Sequence, residues 1–454
     1  MSDPDTQKSG ERQHAFPGAI LMGAQSRLIS YHIPLRFFVA AAVFQVVAWL
    51  LLAVAHGDIS GYSGGPGIVL ATLHSLTLGV LVMTAMGASY QLLNVATGVA
   101  TGLQIGRYDV SRLSSWLYIP GTVLLVAGMA VSNVHVMILG GTMVALALAA
   151  FAVVVGDILR RTAGLKITVR HGWAALACLG LLAVAGLALI ADFDHGFLGA
   201  PASPDHANLA LAHALLGGFG FMGLLALGFS YILVPMFALS PAPHKGFSLL
   251  SFGLVLGGLG LAIVAVLVGN PLVITLAAAI GFLGVAVHLS LMVRALRNGM
   301  KKRLGLSFVL VRAAWVALPL SILLGGLAAA GVGDFNFSPL FGFVLLFGWL
   351  LTFLNGILQR ILPFLTSMHA HKLGKRAPRL SEMGHQKITL KVHAVCHGLA
   401  VVLVSVGIIA DWDTLILAGG LTGSLGAAAF LWFTLGVGKL VVSFYGEEKV
   451  SKQA

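Results

Sequence analysis

Histidine is the residue type best placed to do chemistry in this chain, which holds sixteen of them while only 9% of its residues are charged. Two of them, His74 and His213, lie in the first halves of long apolar stretches. At about 1.5 Å of helix rise per residue, that is roughly 10 to 12 Å into a membrane. An ionisable group in lipid is costly unless it faces a partner or a cavity. Two imidazoles at similar depth on helices of one bundle can clasp a b-type haem, or one can bind haem and the other copper. Each can equally be a packing histidine, hydrogen-bonded between helices.

A second group gathers near the other side of the membrane: His369, His371, His385, His393 and His397. His393 and His397 are spaced i, i+4, which puts both rings on one helix face. A divalent metal or copper could bridge them there, with His369 or His371 arriving from the preceding loop. The alternative is a set of solvated imidazoles among Lys372, Lys375 and Arg376. His56, His135, His195 and His206 fall at or beyond span ends, where an interfacial imidazole needs no special role. His171 and His288 are single residues expected to pack. Cys178 and Cys396 sit inside apolar runs, so neither a disulfide framework nor a cysteine-rich metal site is expected. No carboxylate falls at mid-membrane depth, which argues against a proton-driven pump. No Walker loop, dinucleotide fingerprint, zincin motif or nucleophile elbow stands where its chemistry could work.

The elements that must position these residues are membrane spans. Apolar residues make up 58% of the chain and mean hydropathy is +0.97, far outside soluble-domain averages. Apolar runs of about 20 residues, each long enough to cross the hydrocarbon, predict twelve spans. They lie near 34 to 56, 66 to 93, 113 to 132, 135 to 157, 171 to 191, 207 to 238, 247 to 269, 271 to 293, 307 to 330, 338 to 363, 389 to 410 and 414 to 443. The net charge of +12 is concentrated in alternate loops, for example Arg160, Arg161, Arg294, Lys301, Lys302, Arg303 and Lys375. The opposite loops carry no Lys or Arg but hold Asp58, Asp192, Asp194, Asp205, Asp334, Asp411 and Asp413. The positive-inside rule then places both termini in the cytoplasm. The basic excess is topogenic, and the longest cytoplasmic loop, near 364 to 388, is too short for a nucleic-acid-binding domain. Residues 1 to 33 are expected to form a flexible cytoplasmic arm, 34 to 445 the membrane domain and 446 to 454 a cytoplasmic tail, with no signal peptide at the start.

A repeat groups the spans. Span 2 carries Gly79, Gly87, Tyr90 and Asn94; span 6 carries Gly220, Gly228, Tyr231 and Pro235; span 10 carries Gly348, Gly356, Gln359 and Pro363. All three read G-x7-G-x2-[YQ]-x3-[NP], four spans apart. The pattern predicts three four-helix arcs, near 34 to 157, 171 to 293 and 307 to 443, about a pseudo-threefold axis. Small residues at this spacing let helices approach closely. Tyr90, Tyr231, Asn94, Asn355 and Gln359 are expected to hydrogen-bond between helices and to shape any cofactor pocket.

Twelve spans in three arcs, with HSLTLGVLVMTAMGASYQLL from His74, HALLGGFGFMGLLALGFSYILVPMF from His213, FGWLLTFLNGILQRILPF from Phe347 and IPLRFF opening span 1, resemble the catalytic subunit of haem-copper oxidases. They also resemble the related NnrS family of haem- and copper-containing membrane proteins. The resemblance implies a bacterial inner-membrane protein in respiratory or nitric-oxide-stress metabolism, with quinol or a cytochrome as possible redox partner. It carries over an axial haem ligand onto His74 and a copper ligand onto His213. The family's further ligands are missing, since span 7 has no His and the start of span 10 has Ser338 and Phe341. The His369 and His371 pair lies at the wrong end of span 10 to substitute. A haem b protein without a complete oxygen-reducing centre is the leading expectation. The rivals are a cofactor-free metal transporter or membrane assembly factor, and a diheme quinol-oxidising electron carrier.

Overall fold

The structure is a computed structural model that describes residues 27–99, 103–105, 108–199, 205–376 and 384–453; most of the expected N-terminal arm lies outside these. Among these residues, twelve helices are long and apolar enough to cross a membrane: α1 (His32–Val54), α2 (Ile68–Thr97), α3 (Val110–Ala130), α4 (Val134–Arg161), α5 (Lys166–His195), α6 (His206–Ala238), α7 (Lys245–Leu267), α8 (Pro271–Asn298), α9 (Leu306–Ala330), α10 (Phe337–Lys372), α11 (Gly384–Ala410) and α12 (Asp413–Gln453). The protein is an all-α multi-pass membrane protein. Its only strands among the described residues, β1 (Gln104–Ile105) and β2 (Tyr108–Asp109), form a two-residue antiparallel ladder between α2 and α3. Where side chains start the helices, Asp109, Asn133, Asp205, Asn270 and Asn336 accept a backbone N–H of the first turn, the expected cap chemistry.

Hydropathy located every span and misjudged several ends. Helix α10 continues to Lys372, α11 begins at Gly384, and α12 stays helical to Gln453, where the sequence suggested loop and tail. Backbone hydrogen bonding carries a helix past the apolar slab, whereas hydropathy registers only the part inside it. His369 and His371 therefore belong to the last turn of α10 rather than to a loop.

One packing scheme recurs in α1–α4, α5–α8 and α9–α12. The third and fourth helices of each set form the most extensive helix pairs, and α4 against α5, α8 against α9 and α12 against α1 close a ring. Glycines seal the hairpins. A Cβ on Gly121 would lie 3.1 Å from the Val144 nitrogen, one on Gly258 2.8 Å from the Gly281 nitrogen, and one on Gly407 3.0 Å from the Ile416 nitrogen. Inside the ring, α2, α6 and α10 are the most buried helices, with 67%, 78% and 78% of their apolar windows covered against 22% for α8.

The G-x7-G motif is the seam between the first and second helices of each set. A Cβ on Gly87 would lie 2.7 Å from Phe37 Cβ of α1, one on Gly228 2.6 Å from His171 Cβ of α5, and one on Gly356 2.7 Å from the Ser307 carbonyl of α9. The first glycines, Gly220 and Gly348, face Cys178 of α5 and Ala317 of α9, and Gly79 faces Phe44 of α1. The third motif position turns to the third helix of its set. Tyr90 hydrogen-bonds Ser114 of α3 at 2.8 Å, and the Gln359 amide donates to His393 Nδ1 of α11 at 3.2 Å.

A Gly356→Ala substitution tests this seam. The methyl would meet the Ser307 carbonyl, which cannot rotate away, so overpacking outweighs the ~1 kcal/mol helix-propensity gain. Stability should fall by about 1–3 kcal/mol, measured by denaturant unfolding in detergent. Gly257→Ala in α7, where a Cβ meets nothing within 4 Å, should not fall.

Candidate metal centre

Each of the three inner helices is interrupted by a π-helical segment: Thr77–Val82 in α2, Leu216–Gly223 in α6 and Val344–Leu351 in α10. The three segments touch one another pairwise at the middle of the bundle. A π turn leaves backbone carbonyls without their usual partners, and side chains supply them here. The Tyr118 hydroxyl donates to the Leu78 carbonyl at 3.0 Å, and the Thr352 hydroxyl donates to the Phe347 carbonyl at 2.8 Å.

His74 and His213 each stand three residues ahead of their π segment. Aligned on the glycines they are two residues out of register; counted from the start of the π segment they are equivalent. The segments differ in length, six residues against eight, and absorb the offset. The two rings face each other across the α2/α6 boundary, with centroids 6.3 Å apart and planes 28° from parallel. The corresponding residue of α10 is Phe341, which stacks on Phe219 at 6.4 Å.

Both imidazoles are oriented by backbone. His74 Nδ1 lies 3.0 Å from the Leu70 carbonyl, and His213 Nδ1 lies 3.1 Å from the Leu182 carbonyl of α5. A carbonyl only accepts, so both Nδ1 atoms carry the proton and each Nε2 presents a lone pair. Metal-ligating histidines are oriented in this way, by a hydrogen bond from the ring nitrogen that faces away from the metal. The His213 ring lies against Gly186 of α5, where a Cβ would come within 2.9 Å of Cε1. Glycine at 186 is thus part of the seat.

The other candidate ligands do not converge. His393 and His397 are buried, with rings 5.8 Å apart and 22° from parallel. Their hydrogen bonds fix unlike nitrogens. Because the Thr352 proton goes to the Phe347 carbonyl, His397 Nε2–H donates to the Thr352 oxygen at 2.7 Å, which leaves Nδ1 as a lone pair. His393 Nδ1 accepts from Gln359, which leaves Nε2–H as a donor. The pair therefore presents one lone pair, not two. His369 pairs with the Tyr445 hydroxyl at 2.8 Å, beside Tyr31, and His371 is exposed. No three His, Cys, Asp or Glu side chains among the described residues are placed to share an ion.

Two features escaped sequence reasoning. Arg360 lies within α10, donating Nε–H to Ser307 Oγ at 2.8 Å and a second N–H to the Leu304 carbonyl, between the Phe237 and Phe308 rings. A charged residue in an apolar run is a visible signal. The other is a pair of matching ring clusters. Phe37, Tyr90 and Phe151 contact in sequence at 5.8 and 5.5 Å. His171, Tyr231 and His288 do the same on α5, α6 and α8 at 5.6 and 5.0 Å. Imidazoles thus replace both phenylalanines in the second set. His288 is buried and neither of its nitrogens has a hydrogen-bond partner. This parallel appears only once the helices are superposed by their contacts.

The class defined by fold and site is a multi-pass helical membrane protein with a backbone-oriented imidazole pair between two of its inner helices. No protein-family model and no curated protein matches the chain.

Proposed function

We propose that this chain is a copper-binding protein of the bacterial inner membrane, with both termini cytoplasmic, in which His74 and His213 hold one ion through their Nε2 atoms. The observation that carries the reading is the ring separation of 6.3 Å with both Nδ1 atoms tied to carbonyls. Imidazoles on opposite sides of one metal, at ~2.0–2.1 Å per bond, have centroids about 6.3 Å apart. Zinc sites use three or four protein ligands, and among the described residues no third His, Cys, Asp or Glu joins this pair. Copper is the tightest-bound divalent first-row ion at nitrogen ligands and in its cuprous form accepts few of them. It would supply one-electron chemistry, and a quinol or a cytochrome would be the matching electron donor.

The same ring spacing suits the axial positions of a haem b iron, which is the second reading. The resemblance to haem-copper oxidases and NnrS proteins supports it, together with a respiratory or nitric-oxide-linked setting. A porphyrin must in addition spread sideways between α2 and α6, where the His213 ring already packs against the α5 backbone at Gly186 and the π segments meet below. A bare ion needs no such slot. Metal analysis and a pyridine haemochrome spectrum of the purified protein separate the two. We expect about one copper per chain and no haem; one haem without copper selects the second reading, and a folded preparation with neither rejects both.

A further inference from the structure

A third imidazole shares the orientation of the pair. His206 begins α6, at the face opposite the basic loops, and its Nδ1 lies 2.7 Å from Asp192 Oδ2 near the end of α5. The carboxylate accepts, so Nδ1 carries the proton and Nε2 presents a lone pair, the carboxylate–histidine arrangement of metal sites. Asp192 is itself held, its other oxygen accepting the Leu198 backbone N–H at 2.7 Å. His206 is the partly exposed member, with a third of its side chain accessible.

His206 and His213 are seven residues apart, two turns along one face of α6 and about 10 Å in depth. Both are anchored to the same neighbour, His206 through Asp192 and His213 through the Leu182 carbonyl of α5. Gly186 lies between those two anchors along α5, and the His213 ring packs against it where a side chain would otherwise stand. The opposite loops contain seven Asp and no Lys or Arg, so a cation meets attraction rather than repulsion on approach.

We propose that Asp192 and His206 form a capture site through which cuprous ions enter from the face opposite the basic loops, passing down the α5/α6 seam to His213 and His74. This inference rests on the copper reading above and adds the direction and the first stop. His206 is then a loading residue and not a ligand of the final centre, so its removal changes rate and not occupancy.

The test loads the purified full-length protein in liposomes with cuprous ion kept reduced by ascorbate, sampling bound copper over time. His206→Ala should slow loading at least tenfold while reaching the occupancy of the unaltered protein, and Asp192→Asn should slow it several-fold. His213→Ala should not load. If the unaltered protein binds no copper, the functional reading itself fails. If it binds copper and both His206→Ala and Asp192→Asn load at the unaltered rate, the entry route is rejected and the centre stands. Loss of final occupancy in His206→Ala also rejects the route, because His206 would then be a resident ligand.

Discussion

Replacing His213 with Ala is expected to lower copper affinity by at least about 100-fold, since orienting partners of a ligating histidine alone are worth ~10–100-fold. His74→Ala should match it, because neither imidazole has a neighbouring His, Cys, Asp or Glu ready to take its place among the described residues. The more discriminating substitution is Gly186→Ala, which keeps both ligands. Its methyl would sit 2.9 Å from His213 Cε1 and 3.5 Å from Nδ1, so the ring must tilt off the Leu182 carbonyl. Affinity should fall by about 10–100-fold, the cost of losing an orienting partner. Gly180→Ala, on the same helix with nothing within 4 Å of the added methyl, should bind as the unaltered protein does. Competition titration against a chelator of known affinity measures all four. Equal binding by Gly186→Ala and the unaltered protein would show that the seat is not needed, and unchanged binding by His213→Ala would remove that residue from the site.

His288→Phe is expected to make the protein more stable, by about 1–3 kcal/mol, the penalty of leaving a buried polar group without a partner. The first four helices provide the precedent, since Phe151 occupies the matching place beside Tyr90 at 5.5 Å. Its rings pack as the second set's do, Tyr231 against His288 at 5.0 Å, so a phenyl ring has a place to go. The reciprocal Phe151→His should destabilise by a similar amount, because inside the bilayer no bulk water reaches the new nitrogens. Denaturant unfolding of both variants in one detergent reads the two signs. A loss of stability in His288→Phe would mean that the imidazole is satisfied by a ligand or by water in the native protein, and would turn this cluster from packing into a site.

Much of the architecture was legible in the sequence. Lipid imposes a length and a hydropathy that a linear scan detects, which is why twelve apolar runs reappear as twelve helices. The G-x7-G motif was legible for a related reason: close helix approach demands a missing Cβ, and glycine is the one residue that provides it. The site was legible only in part. His74 and His213 could be singled out by depth, but their glycine registers disagreed, and only the unequal π segments reconcile them. A π turn inserts backbone without changing residue types, so no composition signal announces it. His393 and His397 show the converse. Their i, i+4 spacing suggested a shared metal, yet spacing says nothing about which nitrogen is occupied, and Thr352 and Gln359 on α10 fix opposite ones.

By itself the sequence determined that this is a membrane protein, how many times it can cross, which loops carry the positive charge and where three glycine seams recur. Those properties are local or additive, and each is set by residue type along the chain. The tertiary structure alone decided that His74 faces His213, that Leu182 and Gly186 seat one of the rings, that His206 leans on Asp192, and that His369 and His371 stay apart from His393 and His397. These depend on which helix stands beside which and on how far each is rotated, and rotation is fixed by packing against neighbours rather than by the hydropathy of the helix itself.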